Sequence, residues 1–213
     1  MWTPVRMKNI ELYALVEKTN GLAAHSNPWI VTKTLPSTMV ASRTRVRFRL
    51  LWLRLNILKP HPSTRLLPET AEWVRGVRII HVPAGPPEFV RKEDLLPHME
   101  EFTQSVLRLA RRQRRGYALA HANFWMSGLV AADVKQAIGL PFVVTFHALG
   151  RVRRAFQRAA DQFPDARFAI EDRIVAEADQ IIAECPQEEE DLIRYYNADP
   201  ARMQFAPGAE EAL

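Results

Sequence analysis

The chain has 213 residues, 47% of them hydrophobic and 25% charged, which is the balance of an ordinary soluble globular protein. Its single cysteine, Cys185, excludes an intrachain disulfide and favours a reducing, cytoplasmic location. The most apolar early run, residues 50–58, is interrupted by Arg54 and is too short to span a membrane. The net charge is +5, but residues 1–64 carry ten basic and two acidic side chains (+8), and residues 65–213 carry 19 and 22 (−3).

Residues 1–64 form an atypical basic leader. The pattern over residues 10–16 indicates the start of a helix. Residues 43–50 alternate with period two and place four arginines on one face of a predicted strand. That strand is interpreted as a phosphate-binding edge for nucleic acid or anionic lipid, as a solvated edge, or as part of a poorly ordered leader. Specific nucleic-acid binding is disfavoured because no interleaved aromatic residues or recognised motif accompany the charge.

From residue 65 onward, short apolar runs alternate with amphipathic segments. Buried strands are predicted at 77–82, 117–121, 142–146, 181–183 and 203–206. Helices are predicted over the apolar positions from Leu95 to Leu109 and at 128–138, 151–162, 168–178 and 187–195. This alternation predicts an α/β fold with a single, doubly wound, mostly parallel Rossmann-like sheet.

The stretch from Tyr117 to Arg151 is predicted to be a βαβ unit. Gly139 lies where a helix C-cap glycine is expected, and Pro141 prevents the helix from continuing. His121 and His147 then follow successive strands of one sheet. Since ligands bind at the carboxyl edge of open α/β sheets, a site is predicted there.

Four stretches of the sequence resemble a known family. They are VRIIHVPAGPPEFVRKEDL, HANFWMSGLVA, PFVVTFHALGR and RFAIEDRIVAEADQIIAECPQEEEDLIRYYNADPARMQFAPG, in that order along the chain. Together they resemble the amino-terminal, acceptor-side domain of family 4 GT-B glycosyltransferases, which include sucrose-phosphate synthase and the mycothiol-pathway glycosyltransferase. The resemblance implies that residues 65–208 form one Rossmann-like half of a GT-B fold and that residues 209–213 begin an interdomain linker.

The resemblance also implies roles for individual residues. His147 matches the histidine that contacts the transferred sugar, and a histidine satisfied by local backbone is the alternative. Lys92 and Arg167 match cations that hold the acceptor phosphate in mycothiol-type enzymes. Arg151 matches the basic position of sucrose-phosphate synthases. For Lys92 and Arg151 a solvated surface position is the alternative.

Further site residues follow from the same motifs. His121 and Trp125 are expected to shape the floor of the cleft, and Glu171 of the RFAIED motif is included among the substrate-binding residues. Phe124 stands where the mycothiol-type enzymes have a tyrosine hydroxyl, and Ala148 stands where they have a threonine. The identity of the acceptor is therefore left open.

The implied reaction is hexosyl transfer with retention, from a nucleotide-diphosphate sugar to a hydroxyl of a sugar or cyclitol acceptor, with or without a phosphate. No cofactor beyond this co-substrate is expected, because the sequence has no metal-ligand spacing, P-loop or GxGxxG motif. The family's Gly-Gly-Gln-type loop and its donor-side domain have no counterpart in the sequence, so the chain is expected to be a fragment without activity of its own. The alternative is a non-catalytic interaction module or remnant that pairs with a separate donor-domain chain or an anionic partner.

Overall fold

The structure is a computed structural model, and it describes residues 13–17, 55–61, 70–74, 77–86, 90–112 and 116–205. Within these ranges eight strands form one sheet in the order β3-β4-β2-β1-β5-β6-β7-β8. The strands are β1 (Tyr13–Glu17), β2 (Leu55–His61), β3 (Thr70–Val74), β4 (Val77–Pro83), β5 (Tyr117–Asn123), β6 (Phe142–Thr145), β7 (Gln180–Ala183) and β8 (Met203–Phe205). Strands β1 and β3 run antiparallel to their neighbours, and the other strands run in one direction. The predicted α/β class with a mostly parallel sheet is confirmed.

Five α-helices connect the described strands of the parallel half and cover the sheet. They are α1 (Met99–Arg112), α2 (Trp125–Ile138), α3 (Gly150–Gln157), α4 (Ala166–Glu177) and α5 (Pro186–Tyr196). Every residue of β6 is buried, as expected for a central strand with helices on both faces of the sheet. Gly139 closes α2 at φ +68°, and its N–H donates to the carbonyl of Lys135 at 2.8 Å. The C-cap predicted at Gly139 is therefore present.

The predicted helix at residues 10–16 is wrong. Tyr13–Glu17 form strand β1, which pairs antiparallel with both β2 and β5 near the middle of the sheet. Ladder pairing on both sides outweighs a local helical pattern, because each strand pair satisfies backbone groups that a short isolated helix leaves open. Residues 1–64 thus contribute β1 and β2 to the sheet, and a domain boundary at residue 65 stays a prediction. The arginine-rich segment 43–50 lies outside the described residues.

The helices cover the sheet with a continuous apolar core. Phe102 of α1, Trp125 of α2, Phe142 of β6 and Ile174 of α4 are almost completely buried within it. Pro97 lies in a short 3-10 turn, Leu96–His98, immediately before α1, where its missing N–H leaves no backbone bond unmade. In the part of the chain that the structure describes, no helix is both long and apolar enough to cross a membrane.

Candidate functional site at the carboxyl edge of the sheet

Three adjacent parallel strands end together at one edge of the sheet. Asn123 is the last residue of β5, His147 follows β6 by two residues, and Glu184 directly follows β7. His147 Nδ1 lies 2.7 Å from Glu184 Oε2, and His147 Nε2 lies 3.1 Å from Asn123 Oδ1. The His147 side chain is 42% exposed, so it is open to solvent at the carboxyl edge. The structure places His147 where the sequence predicted it, and its role in sugar transfer stays a prediction.

The two partners of His147 determine how its ring can act. A carboxylate only accepts hydrogen bonds when ionised, so Glu184 favours the tautomer with the proton on Nδ1. The atom of Asn123 that faces Nε2 is Oδ1, which is also an acceptor, so a ring with its single proton on Nδ1 pairs with Asn123 only when the amide turns its NH2 group toward the ring. Nε2 is therefore the ring atom that a ligand hydroxyl would meet after displacing Asn123. The predicted site did not include Glu184 or Asn123. Glu184 directly follows the predicted strand 181–183, and Asn123 ends β5, which is two residues longer than the predicted strand 117–121.

Glu184 is itself held in place by the start of α5. Its backbone N–H donates to Glu188 Oε2 at 2.8 Å. Burial raises the pKa of Glu188, the bond from Glu184 N–H lowers it, and the nearby Glu184 carboxylate raises it again. The short β7-to-α5 connection thus positions two carboxylates behind the imidazole of His147.

A buried ion pair on α4 lies beneath the turn that follows His147. Arg167 Nε donates to Glu171 Oε1 at 2.7 Å, and the side chains of these residues are 1% and 0% exposed. The spacing of four residues puts them on the same face of the helix. Burial raises the pKa of Glu171, whereas the charge of Arg167 and the hydroxyl of Tyr196 oppose that rise. We conclude that the pair is a structural anchor, because separating it would leave a buried carboxylate without its cation.

The anchor holds two backbone groups of the turn, and Tyr196 holds a third. Arg167 Nη2 donates to the carbonyl of Ala148 at 2.6 Å, and the N–H of Gly150 donates to both Glu171 oxygens at 3.0 and 3.1 Å. Tyr196 completes the network, because its hydroxyl donates to Glu171 at 2.5 Å and accepts from the N–H of Arg151 at 2.9 Å. The backbone that carries His147 is thereby fixed by side chains from α4 and α5.

The buried pair leaves no space for a side chain at position 150, so this position requires glycine. A Cβ atom at Gly150 would lie 2.7 Å from Glu171 Oε2 and 2.8 Å from Arg167 Nε. Neither atom can retreat without breaking the buried pair. The HALGR motif therefore has its glycine at the point where the turn meets the anchor.

Aromatic rings enclose the guanidinium of Arg167. Its Cζ lies 5.2 Å from the ring centroid of Phe124, 5.6 Å from that of Trp125 and 4.8 Å from that of Phe163. Trp125 is fully buried, so it supports the site from below and is covered by other residues. Phe163 was missed by the sequence reasoning, and its position in an irregular connection gave no periodic signal. Arg167 Nη1 has no hydrogen-bond partner among the described residues.

The remaining predicted residues lie around this centre. Arg151 forms a two-pronged ion pair with Asp172, with an Nη2–Oδ2 distance of 2.7 Å, and its Cζ lies 4.6 Å from the ring centroid of Tyr196. The hydrogen bond with Asp172 raises the pKa of Arg151 above its ordinary value. Lys92 Nζ lies 5.8 Å from the ring centroid of Phe163, the same ring that Arg167 contacts.

His121 lies inside β5, two residues before the carboxyl end of the strand, because β5 extends to Asn123. Its Nε2 lies 3.0 Å from Thr145 Oγ1 on the neighbouring strand β6. It is half-buried there, below the level of His147. Among the described residues, no group of three or more His, Cys, Asp or Glu side chains is placed to hold a metal ion.

The fold and this site define one Rossmann-like half of a GT-B protein, with a histidine at the carboxyl edge of its parallel strands. The glycosyl transferase 4-like domain family matches residues 38–209, and the chain belongs to that family. The resemblance inferred from the four sequence stretches is confirmed.

Particular relatives agree with this assignment. The chain is 38% identical over 151 residues to D-inositol 3-phosphate glycosyltransferase 2 of Catenulispora acidiphila, covering 70% of this chain and 35% of the relative. It is 39% identical over 149 residues to the D-inositol 3-phosphate glycosyltransferase of Salinispora tropica, covering 68% of this chain and 31% of the relative. A solved structure of sucrose-phosphate synthase from Thermosynechococcus elongatus matches with a TM-score of 0.65 and 26% identity, over 71% of this chain and 37% of that chain. The chain spans about a third of the length of these relatives.

Proposed function

We propose that the chain is the acceptor-side part of a retaining glycosyltransferase that moves a hexosyl group from a nucleotide-diphosphate sugar to a hydroxyl of a sugar or cyclitol. The observation that carries this proposal is the placement of His147 in a domain of the matching family. The imidazole projects from the carboxyl edge between Asn123 and Glu184 and is open to solvent. Relatives named for D-inositol 3-phosphate support a cyclitol or a related polyol as acceptor.

In this proposal His147 binds and orients the transferred sugar. Glu184 keeps the proton on Nδ1, and Nε2 accepts a hydrogen bond from a sugar hydroxyl once Asn123 moves aside. The contact adds no charge and fixes the sugar relative to the attacking hydroxyl, which lowers the entropy cost of reaching the transition state. The buried pair on α4 holds the backbone of the turn that follows His147, at Ala148 and Gly150.

In this proposal the leaving diphosphate is stabilised by a donor-side part, for which the two thirds of the relatives' length outside the match leave room. The chain is accordingly proposed to have no transfer activity alone. Its own contribution is to bind the acceptor and to orient the sugar.

The experiment joins the chain to the segment of the Catenulispora acidiphila relative that lies outside the match. Transfer from radiolabelled UDP- and GDP-sugars to a panel of sugars and cyclitols is measured for the chain alone, for the joined protein and for its His147→Ala variant. We expect transfer with retention only in the joined protein, and at least about a tenfold loss on removal of His147, the value of one or two hydrogen bonds.

The role of the Glu184 carboxylate is tested by Glu184→Gln. The matched control is Glu190→Gln, since Glu190 is an exposed residue of α5. We expect Glu184→Gln to lower transfer and Glu190→Gln to leave it unchanged. Turnover by the chain alone, or a joined protein that is insensitive to His147→Ala, would contradict the proposal.

A further inference from the structure

His147 makes two side-chain contacts at the carboxyl edge, and they differ in strength. Its Nδ1 lies 2.7 Å from the carboxylate of Glu184, which is the length of a charge-assisted hydrogen bond. Its Nε2 lies 3.1 Å from Oδ1 of Asn123, which belongs to an uncharged amide. A hydrogen bond with an ionised partner is about twice as strong as one between neutral groups. The contact with Asn123 is therefore the one that a ligand can enter at the lower cost.

The backbone at Asn123 is held in place, so it is the side chain that can make room for a ligand. Asn123 is the last residue of β5 and pairs with Thr145 of β6. The N–H of the next residue, Phe124, donates to the carbonyl of Thr145 at 2.8 Å, and the carbonyl of Phe124 accepts from the N–H of Gly128 at 3.0 Å. Phe124 has φ 74° and ψ 156°, a conformation that favours glycine, so β5 ends abruptly there. Rotation of the Asn123 side chain is thus the movement that changes its distance to the ring.

The amide of Asn123 has one end that only donates hydrogen bonds and one end that only accepts them. When the ring carries its single proton on Nδ1, Nε2 is an acceptor and the amide pairs with it through its NH2 group. When both ring nitrogens carry a proton, Nε2 is a donor and the amide pairs with it through Oδ1. In either state one of the two side chains donates and the other accepts. A group that comes between them and satisfies both must donate and accept at once, and a sugar hydroxyl is such a group.

A hydroxyl fits between the two side chains after a small movement. Hydrogen bonds of about 2.8 Å on either side of a bent hydroxyl oxygen need about 4.5 Å between Nε2 and the amide. The distance in the structure is 3.1 Å, so the amide has to withdraw by about 1.5 Å, which a side-chain rotation supplies. The His147 side chain is 42% exposed, so a ligand can reach this position from solvent. One hydrogen bond within the protein is then exchanged for two with the ligand.

We infer that Asn123 is a second binding residue for the transferred sugar, and that Asn123 and His147 together bind one sugar hydroxyl, which donates to one side chain and accepts from the other. The inference rests on the proposed function, because it extends the contact assigned there to His147. It makes Asn123 a specificity-determining residue. A sugar that lacks this hydroxyl, or carries fluorine in its place, cannot satisfy both side chains, and a site built to bind a hydroxyl discriminates against such analogues.

The pair itself is tested without a ligand. The ring nitrogens of His147 are observed by long-range proton–nitrogen NMR in the 15N-labelled 213-residue chain and in its Asn123→Leu and Gln104→Leu variants. Leucine has nearly the size of asparagine but forms no side-chain hydrogen bond. Gln104 is the matched control, because its amide bonds to Glu100 on the exposed side of α1. We expect the Nε2 signal to move in Asn123→Leu and to stay in the control. An unchanged Nε2 signal in Asn123→Leu would overturn the inference.

Specificity is tested with the joined protein. The value of kcat/KM is measured for the nucleotide sugar that it transfers fastest and for analogues of that donor that each lack one hexosyl hydroxyl. We expect one position at which loss of the hydroxyl lowers kcat/KM at least about tenfold in the wild type. Asn123→Leu should lower kcat/KM about tenfold for the parent sugar but no more than about threefold for that deoxy analogue, and Gln104→Leu should change neither. The intrinsic reactivity of an analogue is the same with each protein, so the comparison isolates the contact with Asn123.

The possible results separate this inference from the proposed function. An equal loss with every donor sugar in Asn123→Leu and in Asn123→Ala would give Asn123 a structural role only, and no loss in either variant would exclude it from the site. Both results overturn the inference and leave the proposed function standing, as does a wild type without a tenfold effect at any hydroxyl. A joined protein that transfers no sugar overturns the proposed function and the inference with it. A loss confined to sugars that carry the hydroxyl supports the inference.

Discussion

Replacement of Arg167 by methionine tests the buried anchor beneath His147. Methionine fills much of the same space between the rings of Phe124 and Phe163 but carries no charge. Glu171 would remain buried, with Gly150 and Tyr196 as its donors and with no cation. Removing one member of a buried pair costs about 3–5 kcal/mol, a large share of the ~5–15 kcal/mol by which a typical domain is stable.

The loss in Arg167→Met should depend on pH in a defined direction. Burial already raises the pKa of Glu171, and removal of Arg167 takes away the largest opposing influence, so the pKa rises further. A carboxyl group whose pKa is higher in the folded than in the unfolded state contributes stability at pH values below its pKa in the unfolded state. That contribution is lost as the pH rises through the folded value. The variant should therefore lie closest to the wild type near pH 5 and furthest from it near pH 8.

The measurement is urea-induced unfolding followed by circular dichroism at pH 5, 6, 7 and 8. Arg173→Met is the control, since Arg173 pairs with Glu177 at the same spacing on the same helix, and with Asp133 of α2, but is 33% exposed. We expect the control to lose about 1 kcal/mol or less at every pH. Adding Glu171→Gln to Arg167→Met should remove the pH dependence, because the amide keeps an acceptor for Gly150 without a charge. A loss below about 1 kcal/mol, or a pH-independent loss in the single variant, would refute the reasoning.

Three further changes probe the same region. Gly150→Ala should lower the stability by about 1–3 kcal/mol through overpacking against Glu171. In Gly139→Ala the new Cβ would meet nothing within 4 Å, so this control should lose only about 1 kcal/mol, because of its positive φ. Differential scanning calorimetry compares the two variants, and equal losses would contradict the steric argument. Burial would raise the pKa of Asp161, but its bonds with Arg153 and Arg154 outweigh this, so the pKa is lowered. The stability that Asp161→Asn loses at neutral pH should therefore vanish as the pH falls through the lowered folded pKa in an acid unfolding series, and a constant difference would count against it. Burial raises the pKa of Tyr196. Its phenol should therefore contribute stability that is lost as the pH rises above the ordinary tyrosine pKa near 10. The alkaline unfolding midpoint of Tyr196→Phe should be less pH-dependent than that of the wild type, and identical pH profiles would exclude this role.

The parallel half of the fold could be predicted because each of its elements carries a local signal. Strand β6 is a short apolar run bounded by Pro141, and α2 ends at a glycine with positive φ. Strand β1 gave no such signal, since its pairing partners in β2 and β5 lie about 40 and 105 residues further along the chain. Non-local pairing can override a local helical pattern, and a single sequence does not show it.

The candidate site divides in the same way, and the division has a physical cause. His147 and Glu184 each follow a strand, so the parallel order of β6 and β7 is enough to bring them to one edge. The sequence could not show which arginines are paired with a carboxylate, because such pairs depend on residues that are distant in the sequence or on how the helices pack. Glu171 is four residues from Arg167 on one helix, whereas Asp172 lies 21 residues from Arg151 and reaches it only through the packing of α3 on α4. A motif therefore predicts the backbone position of its basic residues, and the carboxylates with which they pair are set by how the fold packs one helix on another.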